Sequence, residues 1–563
     1  MDASHLQFMS LIIHDRPVAE FRAFFQEQTA ASTTSWNMDV ALLHSCSPLR
    51  TLPLIQYLVR ECGARVGPTF RSGNTALHTS CVNGLTEIVE LLLQEGDAQQ
   101  FVNASNRQGS APLHLAVTQC HLAIVQLLIQ YGANVNQWHQ TSGETPLFMA
   151  AVRNHLPTCR ILVEHGRADP NAGHGWKVPL VEASERGLYQ IVEYLLQQPN
   201  MDVGKVQTLS GASALRAACE HGHSRTVRLL IEKGGAHVEA VDEMGNTALL
   251  AACLPGSKSN LDVVRYLVES ARANIRARNK KGWTALLLTT QGQDGNLDVF
   301  RYLIENEASG VHLNDDAVAV NTVTGRNVLH EACAAPHIRK INYLMTHPVG
   351  HFWVYKTDKE GRTPLHYAAE RGVAACQWLL TRRPPTAAPV SLSHGERQVL
   401  LNRRDHQGRT PLHGACYIQK YEVVEYLVVH CGAQVNGTHD SRAAGDTILH
   451  VAVNEAIEEL DSVKEEASIT KLANPDKFPA YHIVHLLVEK GHANIVDVNR
   501  LSETCLILVE DSAPWQSFGK QALYKYLQST QNNRVHSLVH YLNSTFDWFN
   551  SSTRDCGATM DEY

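Results

Sequence analysis

Asp358-Lys359-Glu360-Gly361-Arg362-Thr363-Pro364-Leu365-His366-Tyr367-Ala368-Ala369-Glu370-Arg371-Gly372 is the stretch from which the rest of the chain can be read. Asp followed three residues later by Gly gives a tight polar turn. Thr363 is placed to cap a helix whose first position is Pro364, where a missing N–H costs nothing because that position has no intrahelical partner. His366 stands three places after the cap, where a capping box carries Glu or Gln, so its ring can bond back toward Thr363. Leu365 reads as the buried anchor. Ala368 and Ala369 lack bulk and let a second helix lie close, and Gly372 is expected in the left-handed conformation that ends a short helix.

The same tetrad returns in varied form as Ala41-Leu42-Leu43-His44, Thr75-Ala76-Leu77-His78, Ala111-Pro112-Leu113-His114, Thr145-Pro146-Leu147-Phe148, Asn327-Val328-Leu329-His330, Thr410-Pro411-Leu412-His413 and Thr447-Ile448-Leu449-His450. From His44 to His78 is 34 residues, from His78 to His114 is 36, and from His114 to Phe148 is 34. Degenerate copies fill the middle at Val178-Pro179-Leu180, Ser213-Ala214-Leu215, Thr247-Ala248-Leu249 and Thr284-Ala285-Leu286. A second helical run ending in Gly follows in well-formed units, as in Ile124 to Gly132. A turn and two helices at this period resemble the ankyrin-repeat family. The resemblance implies an all-α, ankyrin-repeat solenoid of about 11–12 helix-turn-helix units with short β-turn fingers and helical caps.

On this reading, residues 1–35 are an N-terminal helical cap, with helices on either side of Asp15-Arg16-Pro17, and 36–510 are the array. Insertions are expected near 308–320, 383–398 and 455–478, because the tetrad spacing stretches there. Such insertions emerge as loops without breaking the stack. The one around Arg383-Pro384-Pro385 is Pro-rich and reads as extended or mobile, and Glu455 to Leu460 suggests a short extra helix. Residues 511–550 are expected to form a C-terminal helical cap, and 551–563 a disordered tail.

Composition narrows the function classes. With 49 Lys and Arg against 56 Asp and Glu, the chain is mildly acidic, which argues against generic nucleic-acid binding. Thirteen cysteines carry no CxxC pair, and Cys81, Cys219, Cys253, Cys333 and Cys416 fall within first helices, so they read as small buried thiols of a reducing compartment. No run of 18 apolar residues and no secretory leader pattern is present, which leads to the expectation of a cytoplasmic, also nuclear, monomeric protein without membrane contact.

Thirty histidines invite a metal reading. Those of the tetrad are better explained as structural hydrogen-bonding groups. His330-Glu331 followed by His337 lacks the four-residue spacing that puts two zinc ligands on one helical face, and Pro336 intervenes. No Walker loop, GxGxxG after a strand or GxSxG elbow occurs, and near-continuous repeats leave little room for a catalytic domain. A non-enzymatic chain with no cofactor and no metal is expected.

Function then falls to a surface. The ankyrin resemblance implies that variable residues around the turn Gly and after the paired Ala line a concave face and meet a partner protein. Here those positions hold Arg71, Arg107, Glu144, Lys177, Glu185, Arg186, Met244, Lys280, Lys281, Trp283, Arg362, Glu370, Arg371, Arg409 and Tyr417. Basic residues outnumber acidic ones in this set, which favours an acidic or phosphorylated partner segment held by guanidinium forks. Trp138 and Trp283 read as packed or contact anchors near turns, and Trp176 as packed; Phe352, Trp353 and Tyr355 read as a patch bridging two repeats.

Two stretches resemble the feminization-type substrate receptors of cullin-RING ubiquitin ligases: Ala214 to His223 with Val238-Glu239-Ala240, and Leu449 to Asn454 with Phe478 to Val484. Most of both is ankyrin consensus. The resemblance implies a substrate-recognition adaptor as the alternative function. The helical repeats such receptors carry between ankyrin blocks are not found, and in Ser537-Leu538-Val539-His540-Tyr541-Leu542 the last residue stands where an elongin-binding box has Cys.

Overall fold

Within the described residues the chain adopts the turn–helix–turn–helix fold. The computed structural model describes residues 18–30, 38–46, 52–67, 72–95, 98–173, 177–204, 213–256, 260–291, 296–305, 319–335, 337–346, 353–382, 390–391, 393–436, 446–461, 479–495, 497, 504–511, 520 and 523–532. Two units are present, residues 1–280 and 281–563.

Among the described residues of the first unit, Val18–Ala30 precedes seven helix pairs, from Met38–Ser45 with Leu52–Gln56 to Ala248–Ala252 with Leu261–Glu269. In the second, five pairs run from Ala285–Gln291 with Leu297–Glu305 to Ile448–Asp461 with Pro479–Glu489. Cys505–Asp511 and a helical segment 523–532 follow. Within each unit neighbouring first helices pack on one another, as Val328–Ala334 does on Pro364–Arg371, because their small residues leave no bulk between the axes. Leu365, Ala368 and Ala369 are all fully buried.

The tetrad histidines tie this packing together. The Thr363 amide donates to His366 Nδ1 at 3.0 Å, so Nε2 carries the proton and donates to the Arg409 carbonyl 3.1 Å away in the next finger. His78 uses Nε2 toward the Ala104 and Ser110 carbonyls, His114 toward Gln137 and His330 toward Arg362. Burial holds His114, His330 and His366 down at about 4 although these carbonyl bonds favour the charged ring. Phe148 takes the same place in its repeat, where the Thr145 hydroxyl still caps the helix by accepting the Phe148 amide. The side chain of His44 lies outside the described residues.

Four local expectations differ from the structure. Gly372 is extended, with φ 167° and ψ 163°, rather than left-handed, because Val373 opens the second helix at once. Gly84, by contrast, has φ 73°. Glu455 to Leu460 is no separate helix; Ile448–Asp461 runs through it unbroken, and Glu459 accepts the Ala480 and Tyr481 amides at 3.3 and 3.0 Å, capping the second helix. Near the Pro-rich insertion, Thr381–Arg382 pairs antiparallel with Val390–Ser391, and His394–Leu401 forms a helix opened by a Ser393–Glu396 capping box. The patch Phe352-Trp353-Tyr355 is split: Trp353 is 2% exposed, Tyr355 is exposed, and Phe352 lies outside the described residues.

Of the insertion expected near 308–320, residues 308–318 lie outside the described residues, as do the segment 383–389, the first of the two N-terminal helices and the tail. Cys81, Cys219, Cys253, Cys333 and Cys416 are buried, and burial pushes the Cys253 thiol up to about 12. Among the described residues no helix is long and apolar enough to cross a membrane, and no group of three or more His, Cys, Asp or Glu is arranged to hold a metal ion.

Candidate protein-binding surface

Each finger is built by one side chain. Asp358 Oδ1 accepts from the Glu360 and Arg362 amides, both at 2.9 Å, and Asp405 does the same for Gln407 and Arg409 at 2.9 and 2.8 Å. Successive tips are then joined by a backbone bond: Arg107 donates to Ser72, Gln140 to Gly109, Lys280 to Met244, Lys359 to Thr324 and His406 to Glu360. The turn glycine is required where this bond forms. Gly361 has φ 77°, and a Cβ there would sit 3.0 Å from the His406 amide nitrogen.

The second oxygens of the finger aspartates face arginines. Arg326 Nε lies 3.8 Å from Asp358 Oδ2, Arg362 Nε 3.7 Å from Asp405 Oδ2, and an Arg409 terminal nitrogen 3.0 Å from the same oxygen. Tyr367 completes the ladder: its hydroxyl donates to Asp358 Oδ2 at 2.7 Å, and the Arg326 and Arg362 guanidiniums lie 4.4 and 5.6 Å from its ring. Glu331 occupies the position of Tyr367 one repeat earlier. Its carboxyl is held above the ordinary range by burial, although Arg326 lies 3.9 Å away and Gln291 donates to it at 3.1 Å.

This geometry sorts the fifteen candidate positions. Arg362 is also bridged to Glu360 and Glu370 at 3.3 and 3.4 Å, Arg186 is bonded to Glu182 at 2.6 Å, and Lys177, 5% exposed, is paired with Glu144 beneath the surface and over the Phe148 ring. These cations are already matched by the protein's own carboxylates, as Arg409 is by Asp405. Arg107, Lys280 and Arg371 are exposed and make no ion pair among the described residues. Lys281 is exposed, Trp283 and Glu185 are half-buried, and the Glu185 carbonyl accepts from His223 at 2.9 Å. Met244 is 47% exposed and Tyr417 66%. Arg71, like Trp176, lies outside the described residues. Trp138 is exposed.

Sequence reasoning missed Val241, exposed just before the Asp242 turn, Val323, exposed in the Asn321 turn, and Ile418, exposed beside Tyr417. Their signal was available: each puts a large aliphatic side chain where a solvated turn or helix end favours a polar one.

Stacked helix pairs with hydrogen-bonded fingers and a histidine hook between repeats define a helical repeat protein. The chain belongs to the ankyrin-repeat family: the profile for "Ankyrin repeats (3 copies)" matches residues 43–139, 136–207, 180–279, 215–317, 257–351 and 293–388, and that for "Ankyrin repeat" matches 407–440. It is 27% identical over 422 residues to the human transient receptor potential cation channel subfamily A member 1, covering 74% of this chain and 32% of that protein. It is 29% identical over 232 residues to human ankyrin repeat and SOCS box protein 16, covering 39% of this chain and 41% of that protein. The crystal structure of the human ASB11 ankyrin repeat domain aligns at 28% identity with a TM-score of 0.35, over 41% of this chain and 97% of that one. The chain spans less than half the length of the curated relatives it matches.

Proposed function

We propose that this protein is a non-enzymatic scaffold that binds a partner protein across its finger tips and the adjoining ends of its first helices. The observation that carries this reading is a contrast in satisfaction. Below the tips, the polar groups Asp358, Asp405, His330 and His366 are spent on holding repeats together. At the fingers, Val241, Met244 and Val323 are 61%, 47% and 56% exposed. Exposed apolar side chains on a rigid, preorganised support lower the ordering cost of binding.

An acidic or phosphorylated partner segment fits Arg107, Lys280 and Arg371 better than Arg362 or Arg409, whose charge the finger aspartates already balance. The test is crosslinking from photoreactive groups placed at positions 107, 244 and 280, with the partner identified by mass. Crosslinks to one protein that vanish with Met244→Asp and Lys280→Glu support the reading. Crosslinks that map only to the second helices, or survive those substitutions, refute it.

The second reading is delivery of substrates to a ubiquitin ligase. It is favoured by the likeness to a SOCS box protein and to a probable E3 ubiquitin-protein ligase of rice, 28% identical over 232 residues. The box-like segment Ser537 to Leu542 lies outside the described residues. Co-purification with elongin or a cullin tests it, and failure to co-purify under mild conditions counts against it.

A further inference from the structure

We propose that Tyr417 and Ile418, at the end of helix Pro411–Tyr417, form a docking point for a partner segment carrying a large apolar side chain next to a Lys or Arg. This rests on the protein-binding reading above and gives it one location and one chemistry. Tyr417 is 66% and Ile418 41% exposed. In the two neighbouring repeats the matching pairs are polar: Glu370-Arg371 before and Asn454-Glu455 after. Two consecutive large apolar residues are thus presented where the adjacent repeats present charge and amide.

The surroundings keep the ring standing clear. Gly414, one helical turn before Tyr417, has no side chain, and Glu370 of the preceding repeat fills that space, its Cγ 3.2 Å from where a Cβ would stand. Glu370 is itself committed to Arg362 at 3.4 Å. The exposed parts of Tyr417 and Ile418 are apolar surface available to a partner.

The following repeat supplies the charge. Gln419, two residues past Tyr417, donates to Glu455 Oε2 at 3.1 Å, which fixes that carboxylate beside the patch. Glu458, exposed three residues further along the same helix, shares its face. Neither forms an ion pair among the described residues. The exposed cations Arg371 and Lys420 do not bridge to them either. Two carboxylates without a cation, next to an uncovered aromatic ring, match an apolar side chain flanked by an ammonium or guanidinium, which gains a charge-assisted bond and a cation–π contact together.

The test is selection of a random peptide library on phage against the immobilised full chain, followed by titration of the enriched synthetic peptides by fluorescence anisotropy. Enrichment of a large apolar residue adjacent to Lys or Arg is expected. At least tenfold weaker binding is expected for Tyr417→Ala and for the double variant Glu455→Gln, Glu458→Gln, each with an unchanged thermal melt. Peptides lacking that pairing, or binding these variants as tightly as the parent, overturn the inference. Peptides whose binding is lost only with Met244→Asp or Lys280→Glu overturn it too, while leaving the broader protein-binding reading standing.

Discussion

The Nε2–H of His366 donates to the carbonyl of Arg409 over 3.1 Å, although 43 residues separate the two in sequence. Replacing His366 by Ala removes the donor to that carbonyl and the acceptor for the Thr363 amide, 3.0 Å from Nδ1, in one step. A loss of about 2–4 kcal/mol is expected, the sum of two buried bonds and a small cavity. Urea unfolding followed by circular dichroism measures it, and hydrogen exchange should show the fingers at 358–362 and 405–409 opening first.

The same hooks make the fold sensitive to acid. His114, His330 and His366 are held at about 4 by burial, below the ordinary imidazole value of 6.5. Between 6.5 and about 4 the unfolded chain therefore binds protons that the folded chain refuses, and stability falls as pH drops through that window. Glu331 acts in the opposite sense, since its raised carboxyl pKa costs stability when ionised and that cost fades on acidification. Burial raises Glu455 and Glu459 in the same sense as Glu331, but it also lowers His78, His139 and His485 beside the three hooks, and the histidines outweigh the carboxyls. Melting temperatures at pH 7.5, 6.0 and 5.0 should decline in that order, and His366→Gln should flatten the decline.

Two glycines of one repeat should respond in opposite directions. Gly361→Ala places a Cβ 3.0 Å from the His406 amide nitrogen at φ 77°, and should cost about 1–3 kcal/mol. Gly372→Ala meets nothing within 4 Å in an extended backbone, and should be neutral or stabilise by about 0.4–1 kcal/mol. Thermal melts of the pair decide this.

Arginines nine residues apart should also part company. Arg362, 17% exposed and set among Glu360, Glu370 and Asp405, should cost about 1–3 kcal/mol when changed to Ala, because buried Asp405 and half-buried Glu370 lose a cation. Arg371→Ala should leave stability within about 0.5 kcal/mol, since its side chain is exposed and makes no ion pair among the described residues. Chemical denaturation of both variants checks the contrast, and any effect of Arg371→Ala on partner capture then reports contact rather than folding.

Local chemistry was legible from residues alone. Thr363-Pro364-Leu365-His366 announces a capped helix because a cap, a first-turn proline and a ring three places on interact within one turn of chain. The recurrence of that tetrad requires stacked pairs, since one pair cannot bury its own apolar face. Gly372 was misread because its conformation depends on how soon the next helix begins, which Val373 decides.

The candidate surface was legible only in outline. Sequence spacing locates Lys177, Arg186, Arg362 and Arg409 at candidate positions; Arg186 and Arg409 pair four residues away within their own repeats, but Lys177 and Arg362 pair with Glu144 and Asp405 of neighbouring repeats, 33 and 43 residues away. Which charges are spent on the fold and which stand free is set by contacts between repeats, and these come together only when the helices stack. The amino-acid order determined the unit and its repetition, since capping, turn chemistry and apolar spacing act over a few residues. The tertiary structure decided the surface, because exposure and charge pairing are properties of neighbours far apart along the chain.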